Sequence, residues 1–550
     1  MEAGGQSPAQ CCRTEAPVFR RIRALLPVGS KAELTELSKL SGPLILAQLM
    51  IYGVSLFSTI FCGHLGKEEL AGVSIAISVI NVTGISIGIG LASACDTLIS
   101  QTYGSGNLLR VGVIIQRAVL ILLLACFPCW AILINTESIL LIVRQDPKVA
   151  RISQLYVKIF MPALPASFMY SLESRYLQNQ GVVYPLVITG FLVNLLNVLI
   201  NYILLFVFDL GVAGSAIANA VSQFSMAGSL HAYVMWKGLY KTTWGGWSQQ
   251  CLQDWGSYAR LAIPGMVMLC AEWWSYEIGS FLAGIISEVE LGAQSVVFQL
   301  ANIAYMCPMG FGIAGCVRVG NALGAGQTEQ AKLSAKMTLL SAGSIAVCFA
   351  ILFGSLKEHI SYIFTYDEQI RKRVAEVMSF YAVFLFVDGL SAASSGVIRG
   401  AGKQKVGAFC IVVGYYALGL PTGIILMFVA KLGILGLWIG MLICASLQCS
   451  FLITYLMRMN WNNATVEAKI RAGVSVSATD SGPEPEDQDD LQNQTDVSEL
   501  IDMEETAMKS AAHPLAFRMV VLRRSLTLAA MLSFLLSGII LSLIIPNLIT

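Results

Sequence analysis

Apolar runs of about 20–27 residues follow one another along most of the chain, separated by short polar stretches. They fall near residues 37–63, 71–99, 111–135, 152–174, 185–207, 211–236, 258–285, 291–317, 332–355, 376–397, 405–429 and 432–457, with a last run near 523–548. Each is long enough to cross a ~30 Å hydrocarbon core as a helix. Strands are excluded, because the runs lack alternation and exceed the length of a tilted strand. The pattern predicts an all-α polytopic membrane protein with thirteen spans.

The polar segments divide the chain further. Residues 1–36 are polar and basic, with Arg13, Arg20, Arg21, Arg23 and Lys31, and contain no apolar stretch with a cleavage site, so no signal peptide is expected. Residues 460–517 are acidic and rich in Pro and Ser, which reads as a disordered linker. With the N-terminus inside, Lys and Arg in the inner segments outnumber those in the outer loops two to one, so the N-terminus is predicted cytosolic and, after thirteen spans, the C-terminus extracellular. Asn463-Ala-Thr465 and Asn493-Gln-Thr495 fit the glycosylation pattern but fall on the cytosolic side.

An internal duplication organises the rest. Pro43 precedes Pro264 by 221 residues, and the same offset pairs Gly63 with Gly284, Glu69-Leu70 with Glu290-Leu291, Asn81 with Asn302 and Asp146 with Asp367. Tyr103-Gly-Ser-Gly106 pairs with Leu323-Gly-Ala-Gly326 at 220, and Leu210-Gly-Val-Ala-Gly214 with Leu432-Gly-Ile-Leu-Gly436 at 222. Each unit holds six spans. An even number makes both units enter from the same side, so the repeats are parallel, related by an axis along the membrane normal. Two bundles facing each other across a cavity are the plan of an alternating-access transporter. The expected division is a cytosolic N-terminal segment (1–36), a first six-helix bundle (37–236), a cytosolic linker (237–257), a second six-helix bundle (258–457), an acidic disordered cytosolic linker (458–522) and a thirteenth transmembrane helix with an extracellular end (523–550).

Composition agrees with this and narrows the function. Only 13% of the 550 residues are charged, against roughly 25% in soluble domains, and 56% are hydrophobic. A cytosolic enzyme, a disordered scaffold and a nucleic-acid binder are excluded; the net charge of +1 exerts no general pull on polyanions. Most of the 14 cysteines lie in apolar runs and read as small hydrophobes. Cys126 and Cys129 form a CxxC with no second ligand pair, so neither metal nor other cofactor is expected.

Ionisable residues deep in a membrane cost ~2.5–3.5 kcal/mol each and are functional candidates by default. Glu272 and Glu277 in the seventh span and Asp388 in the tenth lie near mid-depth, with no Lys or Arg at matching depth; Asp96 lies near the inner end of the second. Their charge must be met by a proton, a metal cation or a cationic substrate. The four histidines lie at span ends or in loops, so proton coupling would use the carboxylates. At 100° per residue Trp273 and Trp274 share a face with Glu277, and Tyr276 shares one with Glu272; Tyr305 in the eighth span is a further ring. Aromatic faces attract organic cations by ~0.5–2 kcal/mol. Gln48 and Asn81 are polar candidates in the first two spans, whereas the stripe Asn194, Asn197, Asn201 suits hydrogen bonds between helices. Prolines 43, 162, 165, 264, 308 and 421 predict kinks.

Arg-Val-Gly-Asn-Ala-Leu-Gly-Ala-Gly (318–326), Cys-Asp-Thr-Leu-Ile-Ser-Gln-Thr-Tyr-Gly-Ser-Gly-Asn (95–107) and Glu-Trp-Trp-Ser-Tyr-Glu-Ile-Gly-Ser-Phe (272–281) resemble the multidrug and toxin extrusion (MATE) family. The resemblance covers about 35–460, and the thirteenth span is similar to the vertebrate branch of organic-cation/proton exchangers. It implies a twelve-helix core of two bundles and a secondary active antiporter, not an enzyme, exporting organic cations in exchange for protons. The family's seventh-span acids match Glu272 and Glu277, and its tenth-span acid matches Asp388. The eighth-span position, often Glu in vertebrate members, is Gln299, which can only hydrogen-bond. Asp96 and Arg318 are candidates for conformational or gating roles. The expected partners are organic cations, protons and the lipid bilayer, with no nucleic acid and no required oligomer. The expected location is the plasma membrane, apical or otherwise, or an acidic vesicle membrane. Rival readings are a Na⁺-coupled multidrug antiporter, a lipid flippase and a non-transport receptor or channel.

Overall fold

The computed structural model describes residues 29–363, 367–474 and 514–549. Arg13, Arg20, Arg21 and Arg23, Asn493-Gln-Thr495 and most of the acidic segment lie outside these. Among the described residues the regular structure is helix, with no strand. Helices α1 (Ser30–Gly63), α2 (Glu68–Gly104), α3 (Leu108–Ile134), α4 (Pro147–Asn179) and α5 (Tyr184–Val207) are long and apolar enough to cross a membrane. Next come α6 (Gly211–Lys237) and α7 (Trp255–Ile286). Then follow α8 (Glu288–Gly324), α9 (Thr328–Leu356), α10 (Glu368–Ala401), α11 (Gln404–Val429) and α12 (Ile434–Arg458). A short helix, α13 (Trp461–Arg471), precedes the thirteenth span, α14 (Phe517–Ile544). By apolarity alone eleven helices qualify as spans. The other two are α6, rich in Ala, Gly and Ser, and α7, which carries Glu272 and Glu277. Both owe their place to the helices around them.

The prolines from which kinks are predicted lie inside helices or at their irregular turns. Pro43, Pro264 and Pro308 lie inside α1, α7 and α8, and a 3₁₀ turn at Met161–Ala163 breaks α4 at Pro162. Pro421 in α11 is flanked by π-helical turns at Val413–Gly419 and Ile425–Val429, and Asn81 opens another, Asn81–Ile85, in α2. Such turns release a carbonyl from the regular ladder. The Asn stripe of α5 is structural: Asn194 donates to the Met50 carbonyl at 2.7 Å and Asn197 to Ser222 Oγ at 3.0 Å.

Each six-helix unit has its own apolar core, one drawn mainly from residues 37–234 and one from 268–445. The units meet along two antiparallel seams. In the α2/α7 seam Gly90 lies on Met266, Ser86 meets Cys270 and Val82 meets Trp274, four residues back on one helix for four forward on the other. In the α1/α8 seam Glu33 meets Arg318, Ile45 lies on Gly310 and Tyr52 meets Gln299. The 221-residue offset converts α1 into α7 and α2 into α8, so each seam is the repeat of the other.

The seams converge on the basic side, where α1 begins. There α2 and α8 cross backbone on backbone. A Cβ on Gly104 would lie 2.1 Å from the Asn321 carbonyl oxygen, and one on Gly324 would lie 1.9 Å from that of Gln101. The contacts are reciprocal, Gly104 and Gln101 standing 220 residues before Gly324 and Asn321. That is the signature of a two-fold relation, and it fixes the axis along the bundle. Gln101 also donates to the Gly400 carbonyl at 3.0 Å, and Thr97 to that of Arg399 at 2.5 Å.

The segment after 458, read from composition as a disordered linker, begins with an ordered helix. Asn460 caps α13 by accepting from Asn462 and Asn463 N–H. Its Glu467 is 1% exposed and held by Lys403 and Arg471, each at 2.7 Å. Arg471 also donates to Gln101 Oε1 at 3.5 Å, and Asn107 to the Ala472 carbonyl at 3.0 Å, so α13 straps both units together. The acidic average of the segment hid this local charge match. Burial alone would raise the Glu467 carboxyl, but Arg471 and Lys403 outweigh it and hold it below the ordinary value of 4.5.

Two outcomes are expected. Gly104→Leu and Gly324→Leu should each lower the melting temperature of the purified protein by a similar amount. The overpacking cost is about 1–3 kcal/mol at least, since the clash is with backbone. Gly228→Ala, with nothing within 4 Å, should not. The second concerns the strap. Because Glu467 has a lower pKa folded than unfolded, its contribution is full above the unfolded value and is lost only as pH falls through the folded one. Amide exchange in α13 should therefore stay protected under mild acid, and Glu467→Gln should remove that protection at neutral pH, at a cost of about 3 kcal/mol.

Candidate functional site in the second bundle

Helix α7 must traverse the bundle while carrying two carboxylates, and its faces separate them. Glu272 and Glu277 are five residues apart, about 140° around the helix. Glu272 turns into the second bundle, where Tyr305 Oη of α8 donates to its Oε1 at 3.2 Å. Asp388 of α10 is 7% exposed and within electrostatic reach of Glu272. Glu277 turns the other way, onto Ser78 of α2. Equal depth suggests a Glu277–Asp388 pair; in the fold it is Glu272 that lies within electrostatic reach of Asp388.

Aromatic rings surround the joined pair. Tyr276, one turn from Glu272, packs on Phe298, Tyr415 and Trp438 with ring centroids 5.9, 6.4 and 6.4 Å apart. Tyr381 and Phe384 of α10 each meet Trp438 at 5.4 Å. Trp438 Nε1 donates to Gln294 Oε1 at 2.9 Å, which satisfies the one polar atom of the buried indole. Tyr276, which the helical period sets on the face of Glu272, and Tyr305, a further ring on the eighth span, both lie by that carboxylate; Trp438, Tyr381 and Tyr415 belong to the same group and lie outside the sequence candidates. The signal was available for Tyr381, two turns before Asp388 on α10.

The remaining candidates scatter. Trp274 is 40% exposed and its Nε1 donates to the Val82 carbonyl at 3.0 Å, so it bridges the units. Gln299 Oε1 accepts from Tyr52 Oη, a bridge in the opposite seam. The repeat offset maps Tyr52 on Trp273 and Ser78 on Gln299, so both seams place a polar contact at the same level. Gln48 and Asn81 lie half-buried on α1 and α2.

Asp96 and Arg318 are ion-paired on the basic side. Asp96 accepts from Arg175 of α4 at 3.0 and 3.1 Å, an intra-bundle clamp. Arg318 of α8 donates to Glu33 of α1 at 2.9 and 2.5 Å. Gln330 and Ser334 of α9 add further donors to Glu33, at 2.5 and 2.6 Å. Glu33 is 2% exposed, so this four-donor lock joins the two units in a buried setting.

Three charged residues were missed. Glu33 was hidden among the polar residues before the first run. Glu173 of α4 contacts His231 at 3.2 Å and sits in a short polar stretch. Arg399 is the third. No Lys or Arg stands at the depth of the acids along the spans, yet Arg399 lies within electrostatic reach of Glu272 and Asp96. It stands eleven residues after Asp388, which returns it to the same face of α10; that spacing was the readable signal.

The comparisons agree with the geometry. A model of the MatE family matches twice, over residues 43–203 and 264–425, beginning at Pro43 and Pro264. The chain is 61% identical over 460 residues to multidrug and toxin extrusion protein 1 of Danio rerio, covering 84% of this chain and 78% of that one. It is 48% identical over 535 residues to multidrug and toxin extrusion protein 2 of Mus musculus, covering 94% and 93%. The crystal structure of the eukaryotic MATE transporter AtDTX14 superposes with a TM-score of 0.78 at 29% identity, covering 81% of this chain and all of that one. Two matched halves, their reciprocal crossing and this similarity give one conclusion: the chain belongs to the MATE family, a family of membrane transporters and not of enzymes.

Proposed function

We propose that this transporter exports organic cations across the plasma membrane in exchange for protons, by alternating access between its two six-helix bundles. The observation that carries the reading is that Glu272, which accepts from Tyr305, lies within electrostatic reach of buried Asp388, in a setting ringed by Tyr276, Tyr381, Tyr415 and Trp438. Two carboxyls in an apolar bundle cannot both ionise cheaply, so their titrations are coupled. A cation with flat apolar surface satisfies the ionised form by charge and the rings by face contact. A proton satisfies the same carboxyls without the rings. The site cannot favour both at once, and exchange follows from that competition. The lock of Glu33 with Arg318, the strap of Glu467 and the α2/α8 crossing support a state closed on the basic side, which this reading takes as cytosolic from the charge bias. Arg399, on the face of Asp388, offers a charge that could take up Glu272 or Asp96 in the opposite state. The names of the vertebrate relatives are consistent with drugs and toxins as cargo.

The test is uptake of a tetraalkylammonium and of a flat aromatic cation into proteoliposomes under an imposed pH gradient, with and without a Na⁺ gradient. Wild type should respond to the pH gradient; response to Na⁺ alone would favour the Na⁺-coupled reading. Glu272→Gln, which keeps shape and loses the charge, should lower pH-driven uptake about thirtyfold or more, the factor for ~2 kcal/mol lost when one partner of a buried charge contact is removed. Near-normal pH-driven uptake by this variant would sink the assignment.

Tyr305→Phe keeps the ring and removes the hydroxyl that donates to Glu272. Apparent affinity should fall about threefold for both probe cations, a single hydrogen bond's worth. Tyr305→Ala should weaken the aromatic cation further and leave the aliphatic one near the Phe variant. Equal further losses for both would make Tyr305 a packing residue.

A further inference from the structure

Helix α14 packs on α3 as a parallel partner. Asn135 Nδ2 donates to the Gly538 carbonyl at 2.9 Å, and Gly538 lies on Ala131. Fourteen residues before Gly538 stands Arg524, and fourteen before Ala131 stands Arg117. Equal rise brings the two arginines to one level, about 21 Å from that contact. Between the helices runs a cavity of about 550 Å³. Its walls are Leu120, Leu124 and Trp130 of α3 and Leu528 of α14, with Arg524 and Trp255 at the basic end. Arg117 is one turn below Leu120 on the same face of α3.

The arginines are held but not neutralised. Arg524 Nε donates to the Leu252 carbonyl at 2.8 Å, and its guanidinium lies 4.1 Å over the Trp255 ring. Arg117 donates to the Gln250 carbonyl at 3.4 Å, and its Nε is buried with no hydrogen-bond partner. Arg117 feels repulsion from Arg524 and from Arg110, and Arg524 from Arg523; Asp254 is the carboxylate that acts on both. Among the described residues, Arg117, Arg523 and Arg524 against Asp254 leave net positive charge at the mouth of an apolar slot.

The geometry points to a binding site for an anionic phospholipid, with its phosphate between Arg117 and Arg524 and an acyl chain in the slot above. Arginine pairs phosphate through fixed parallel donors. From Leu120 to Trp130 the slot runs about 15 Å, suited to a chain and not to a free anion. Trp255 stands where an interfacial indole belongs. Basic pockets between spans on the cytosolic side recruit anionic headgroups; placing this mouth in the cytosolic leaflet rests on the orientation proposed above. A bound lipid would then fasten α14 to the first bundle at the end farthest from Gly538.

The full chain is reconstituted in phosphatidylcholine vesicles with and without phosphatidylserine, and the preference of the protein for spin-labelled phosphatidylserine over phosphatidylcholine is measured by electron paramagnetic resonance. Wild type should prefer phosphatidylserine and melt at a higher temperature in its presence. Arg117→Gln and Arg524→Gln should each reduce the preference about fivefold, the factor for ~1 kcal/mol per basic residue at a headgroup. Leu124→Trp fills the slot, keeps both arginines, and should remove the preference as well. Preference unchanged in the glutamine variants or in Leu124→Trp overturns the site, and displacement of the label by inorganic phosphate overturns the lipid as its occupant. With phosphatidylserine in both leaflets the result is independent of orientation; confining it to one leaflet then reports separately which side the mouth faces.

Discussion

The fold turns on one backbone contact. Gly104 and Gly324 let α2 and α8 cross with the carbonyls of Asn321 and Gln101 where side chains would otherwise stand. In a bilayer no hydrophobic drive pushes helices together, so close approach through small residues supplies the packing. Because the contact is its own repeat, a single close approach sets the two-fold axis, the two seams and the meeting point of both bundles. The straps of Glu33 and Glu467 lie around this point and add charge-assisted bonds to a contact that dispersion alone would hold.

Charge follows from the same geometry. Carboxylates near the basic side are matched within the protein: Glu33 by Arg318, Asp96 by Arg175, Glu467 by Lys403 and Arg471. On the opposite side Glu290 is matched by Arg373 at 2.7 Å. Glu272 and Asp388, deep in the second bundle, have no ion-pair partner among the described residues: Glu272 accepts from Tyr305, and the two acids lie within electrostatic reach of each other. That difference separates structural carboxylates from candidates for exchange, since an acid with a fixed cation has no reason to trade it. The asymmetry also divides the two repeats: their frames are alike, and the acid pair belongs to one.

The proposed rocking of the two units would be taken up at the seams. Their contacts step along antiparallel helices in small residues and single hydrogen bonds, Tyr52 to Gln299 and Trp274 to Val82, while the buried ion pairs gather at one end. Bonds of that kind, each worth about 1 kcal/mol, can exchange singly. Prolines and π-helical turns in α1, α2, α7, α8 and α11 place flexible points within the same helices.

Much of this was legible in the sequence. Run length gave the spans because the bilayer demands about 20 apolar residues and internal backbone satisfaction. The 221-residue offset gave the parallel repeat, because duplicated chains keep turns and glycines at duplicated positions. Helical period joined Tyr276 to Glu272, since neighbours one turn apart share a face. Partnership across the chain was beyond it. Glu33 finds Arg318 after 285 residues and Asp96 finds Arg175 after 79, and nothing local records which charge a carboxylate will meet. Depth alone could not separate Glu277 from Glu272, because the direction each takes is set by which bundle its face of α7 is packed against. Composition called the segment after 458 a linker, and only the docking of α13 on Gln101 and Lys403 made its first turns a strap. The spans and the repeat are properties of short stretches against a uniform solvent; the site is a property of which stretches touch.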